Sequence, residues 1–86
     1  MELKDTVEMM LSADYKERFK AEYFQTKIRH DKLREMTIKQ EAETLDFKPT
    51  CPLYLLKAQL KDMSAYLYAL ETRAEIEGIS LEGENV

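Results

Sequence analysis

A chain of 86 residues holds one domain, and 44% hydrophobic with 35% charged residues but only two Gly and two Pro is the composition of a helical protein, not of a sheet or a disordered tail. The formal net charge is −4, yet residues 16–40 carry eight Lys or Arg against four Asp or Glu, a local +4 that leaves −8 on the remainder. An acidic chain with one cysteine excludes an internal disulfide, a cysteine-built metal cluster and, outside a local basic patch, attraction to duplex nucleic acid.

At the N-terminus, Met1-Glu-Leu-Lys-Asp is charged where a signal peptide is apolar, and no run approaches the roughly 20 apolar residues of a membrane span. The expected location is the cytoplasm, with no membrane contact. Leu3, Val7, Met10 and Leu11 recur at helical spacing and predict a short helix over 1–11 with one apolar stripe. Ser12 reads as the N-cap of a second, long basic helix over 13–44, with Asp14 and Glu17 suited to its positive end.

Along that helix Phe19, Tyr23, Thr26, His30, Leu33 and Thr37 alternate by four and three residues, an interhelical seam with polar members. Phe24, Ile28 and Ile38 lie on another side, so two sides call for two partners. Residues 45–51 form a turn, because Pro49 pushes Lys48 out of helical geometry, and Thr50 is the expected cap of a third helix over 52–77. There Leu53, Leu56, Leu60, Met63, Leu67, Leu70 and Ala74 repeat by three and four, the strongest pattern in the chain. Gly78 is placed to end that helix in a left-handed C-cap, ahead of a frayed acidic tail over 79–86.

The predicted fold is all-α: a short N-terminal helix and two long helices in an antiparallel, coiled-coil-like hairpin. A lone hairpin exposes too much of Phe24, Ile28, Ile38 and Leu55, so the short helix is expected to pack on it or on a neighbouring subunit in a homo-oligomer. Tyr54, Tyr66 and Tyr68 add aromatic groups, the last two off the leucine seam, that suit an interface or a stacked ligand.

No catalytic residues, metal or cofactor are expected. There is one histidine, one cysteine and no glycine-rich phosphate loop, with Cys51 near a helix start and His30 on the seam. The second helix is more informative, because Lys27, Arg29, Lys32 and Arg34 alternate with Tyr23, Phe24 and His30, residue types that pair with phosphates and stack on bases. The candidate ligand-binding residues are Tyr23, Lys27, Arg29, His30 and Arg34, with Arg73 on the third helix. The same cations could instead pair with Glu22, Asp31, Glu35 and the acidic third helix in a merely solvated hairpin.

The run from Tyr15 to Leu33, the turn Asp46-Phe-Lys-Pro-Thr-Cys-Pro-Leu, and then Leu56 to Leu60 with Tyr66 to Ile79 resemble a family of small helical phage and prophage proteins named after a crAss-like phage member. The resemblance implies an accessory gene of a phage or mobile element and carries over no activity or site residues. Together these readings give an expected function: a non-enzymatic anti-defence protein that sequesters an anionic, nucleotide-like host signal between subunits. The alternative is a coiled-coil interaction module acting on a host defence protein or a phage protein.

Overall fold

The computed structural model describes residues 1–81. A 3-10 turn, Leu3–Thr6, leads into a single α-helical turn, α1 (Val7–Met10), followed by the long helices α2 (Tyr15–Glu41) and α3 (Leu53–Glu77). The long helices are antiparallel: Tyr23 bonds Glu71, His30 bonds Ser64 and Glu41 pairs with Lys57. From the Tyr23–Glu71 pair to the His30–Ser64 pair, seven residues forward on α2 are matched by seven back on α3, the heptad spacing that keeps one stripe of each helix against the other.

Both seams face inward. Phe19, Tyr23 and Thr37 of α2 and Leu56, Leu67, Leu70 and Ala74 of α3 are buried, and the remaining seam positions are at least half-buried. The main core lies where the start of α2 meets the end of α3: Phe19, Tyr23, Phe24, Leu67, Leu70, Ala74 and Ile79 pack together, with Met1, Met9 and Leu81 closing the sides. Phe24 is therefore covered by the chain's own ends.

The N-terminal stripe is rotated from its expected face. Val7, Met10 and Leu11 are exposed, whereas Thr6 is fully buried and Met9 packs on the core. The cause is the 3-10 start: three residues per turn instead of 3.6 shift which side chains line up, bringing Thr6 and Met9 inward. The segment lies across the back of α2, where Gln25 Nε2 donates to Thr6 Oγ1.

The helix ends also differ from the expected ones. Asp14, not Ser12, caps α2, its Oδ1 accepting from the Lys16 N–H, while Ser12 Oγ accepts from the Asp14 N–H two residues earlier in the approach. α2 stops at Glu41 because Glu43 turns left-handed (φ 61°), and the Glu43 and Thr44 N–H groups donate to Gln40 and Lys39 carbonyls. That is a Schellman ending built without glycine. At α3 the cap is Pro52 rather than Thr50, its carbonyl accepting from the Leu55 and Leu56 N–H groups.

Gly78 ends α3 in the left-handed region as expected (φ 70°). The chain after it is not frayed at once: the Ile79 N–H donates to the Ala74 carbonyl at 2.8 Å, and the Ile79 side chain turns back into the core. The remainder of the acidic tail, from residue 82 on, lies outside the described residues. Among the described residues no helix is long and apolar enough to cross a membrane.

Candidate ligand-binding site

Three of the six candidate residues come together on one side of the hairpin. Tyr23, four residues after Phe19 on the seam, is buried and donates its hydroxyl to Glu71 Oε2 at 2.9 Å. One heptad on, His30 places Nδ1 2.9 Å from Asp31 Oδ1 and Nε2 2.9 Å from Ser64 Oγ. Lys27, between them, reaches Asp31 at 3.3 Å.

The electrostatics follow from these contacts. Burial, with the Glu71 carboxylate beside the hydroxyl, pushes the Tyr23 phenol up to about 12. Burial also raises the Asp31 carboxyl, but hydrogen bonds from His30 and Lys27 outweigh it and hold the group below the ordinary carboxylate value. The donors of this cluster are committed to acceptors of the chain itself, so its evident work is to hold α2 and α3 in register.

Arg73 stands apart, at the end of the hairpin away from the turn. Its guanidinium lies 5.0 Å above the Phe19 ring, donates to the Tyr15 hydroxyl at 2.9 Å and pairs with Glu77 at 3.4 Å. Arg29 and Arg34 are exposed, and among the described residues neither guanidinium has an acidic partner; the same holds for Lys32. Arg29 precedes His30, and at about 100° per residue it projects to the side of the hairpin away from Ser64. The six residues therefore do not converge in one cavity of a single chain.

A cavity of about 230 Å³ beside this cluster is bordered by Lys27 and Asp31, with Met1, Phe24, Ile28 and Lys32. Another, of about 500 Å³, is bordered by Lys32, Glu35, Met36 and Lys39 of α2 and by the turn from Thr44 to Phe47. A shallow groove of about 550 Å³ runs along α3, lined by Leu55, Ala58, Gln59, Asp62, Met63 and Tyr66. Among the described residues no three His, Cys, Asp or Glu side chains converge as metal ligands. The partners Ser64, Glu71 and Glu77 were not singled out by sequence. Their signal is the register: once His30 is set against Ser64, one heptad back on α2 and one forward on α3 pairs Tyr23 with Glu71.

The family model for Sequestin matches residues 13–76, three quarters of the chain and nearly all of both long helices. The chain belongs to the Sequestin family. The name denotes sequestration, in keeping with a binding protein. For a Sequestin, the matched region contains the seam, the Tyr23–His30 cluster and the unpaired cations of α2, while the N-terminal segment, whose Met1 and Met9 pack on the core that holds Phe24, lies outside it. No curated protein and no solved structure matches the chain.

Proposed function

We propose that this chain is a non-enzymatic binding protein that sequesters an anionic, nucleotide-like signal, in the manner of a phage or prophage accessory protein countering host defence. Membership of the Sequestin family supports sequestration. The observation that carries the anionic ligand is the division among the α2 cations. Lys20, Lys27 and Lys39 pair with Glu17, Asp31 and Glu35, as in a solvated helix, but Arg29, Lys32 and Arg34 stay exposed and free of acids among the described residues. Planar guanidiniums without a carboxylate are the side chains that bind phosphate by two parallel hydrogen bonds.

The reading is tested by thermal unfolding with a panel of cyclic nucleotides and cyclic ADP-ribose isomers. A ligand held only by the folded chain, at a hundred times its dissociation constant, adds about 2.7 kcal/mol of stability. Release of the intact ligand on heating separates sequestration from turnover. No stabilisation by any member of the panel would favour the second reading, an interaction module, for which the exposed Leu55, Tyr66 and Ile76 of α3 speak.

A further inference from the structure

The hairpin has two open sides. The N-terminal segment crosses the back of α2, and the Tyr23–Glu71 cluster marks one side; the other carries the α3 groove. On it Leu55, Ala58, Tyr66, Ala69 and Ile76 form a stripe, with Leu55, Tyr66 and Ile76 each more than 40% exposed. This stripe is palindromic: Leu55 and Ile76 lie ten residues to either side of the Ala65–Tyr66 pair. Antiparallel pairing of two such helices about that midpoint sets Leu55 of each copy against Ile76 of the other and the small Ala69 near Asp62.

The second helix fits the same operation. The His30–Ser64 bond fixes the level of α2 against α3 and puts Arg29 level with Ala65 and Tyr66, on the groove side. The exposed Met10, held beside Gln25 at 3.5 Å, then falls at the level of the second copy's half-buried Leu33. A face roughly 30 Å long and roughly 20 Å wide would bury on the order of 600 Å² per copy, approaching the roughly 800 Å² per partner of a stable interface.

We propose that a second copy of the chain docks on this face about a two-fold axis at the level of Tyr66, and that the Arg29 and Tyr66 pairs on the axis hold a diphosphate group. The ligand assignment rests on the sequestration reading; the dimer does not. Two unpaired guanidiniums brought together at an axis repel each other unless an anion lies between them, so a diphosphate both bridges the copies and relieves that repulsion. The two tyrosine rings offer stacking surfaces beside it. A single chain holds half of this site, with Arg29 the one candidate cation that it uses.

Analytical ultracentrifugation of the full chain at a protein concentration of about 100 µM, a range in which weak dimers populate, tests the interface. The expected species has twice the 10.1 kDa chain mass, and Ala69→Glu or Ile76→Glu, at exposed positions, should give a helical monomer. A monomeric wild type, or dimeric variants, would overturn the dimer. Calorimetric titration with inorganic pyrophosphate and with ADP tests the site: Arg29→Ala should remain dimeric and bind at least about tenfold more weakly, the equivalent of one lost charge-assisted contact. Unchanged binding in Arg29→Ala, or no binding of either probe by the wild type, would overturn the dyad site. A monomer still stabilised by a nucleotide would remove the dimer and leave sequestration standing, whereas a dimer indifferent to the whole nucleotide panel would remove sequestration.

Discussion

Thr6 and Gln25 meet at the back of α2 in a bond that the apolar pattern conceals: the fully buried Thr6 hydroxyl donates to the Leu3 carbonyl at 2.7 Å and accepts from Gln25 Nε2 at 3.0 Å. One hydroxyl thus closes the 3-10 turn and fastens it to the hairpin. Thr6→Val keeps the shape but strands a carbonyl and an amide, and should cost about 1–2 kcal/mol by urea unfolding. Hydrogen exchange should show faster exchange at residues 3–10 with α2 and α3 little changed. Uniform loss of protection across all three helices would instead mean that the segment does not open separately.

Tyr23 predicts an alkaline limit to stability. Its folded value of about 12 lies above that of an unfolded tyrosine, near 10, so the folded state favours the protonated phenol. The associated stability is complete below about pH 10 and is lost as pH rises through about 12. Tyr23→Phe should cost about 1 kcal/mol at neutral pH, through the lost bond to Glu71, and flatten the alkaline limb. Tyrosinate absorbance and circular dichroism followed together across that range check both effects.

Asp31 sets the opposite limit. Its carboxyl is held below the unfolded value, so its contribution is present above about pH 4 and is lost as pH falls through the lower folded value. Because the side chain is about half exposed (53%), water screens the gain to under about 1 kcal/mol. Thermal melts between about pH 2 and pH 5 should therefore be less steep for Asp31→Asn than for the wild type. Equal slopes would assign the acid limb to other carboxylates.

The two left-handed helix ends give opposite expectations. Nothing lies within 4 Å of a Cβ placed on Gly78, so Gly78→Ala should cost only the backbone penalty at φ 70°, about 1–2 kcal/mol. Glu43→Gly relieves a similar penalty at φ 61° but adds unfolded-state freedom, for a net stabilisation of roughly 0.5–1 kcal/mol. Denaturant midpoints of the two variants should move in opposite directions.

Much of the architecture was legible because heptad spacing is a local signal. Both seams, the antiparallel hairpin and the Gly78 ending follow from the spacing of residues such as Leu67, Leu70 and Ala74 and from the conformational freedom of one glycine. What was hidden depends on geometry that spacing does not encode. A 3-10 turn rotated the face of residues 3–11, a glutamate took the left-handed position that sequence reserves for glycine, and Ile79 returned to the core through a backbone bond. The candidate residues were scattered for a further reason: periodicity separates the sides of one helix but does not say which cations find acids. Lys27 found Asp31, whereas Arg29 did not.

The core lies at the open end of the hairpin, far from the turn, and this shapes how the chain reaches its fold. Tyr15 and Glu77, bonded across that end, are 62 residues apart, whereas the turn end offers little beyond Leu56 and Thr37 as buried anchors. Zipping outward from the turn gains little burial in its early steps, and the large gain arrives only when the longest loop closes. The rate-limiting ensemble should therefore already contain the meeting of Phe19 with Leu70. Substitutions there slow folding, while those near the turn mainly quicken unfolding.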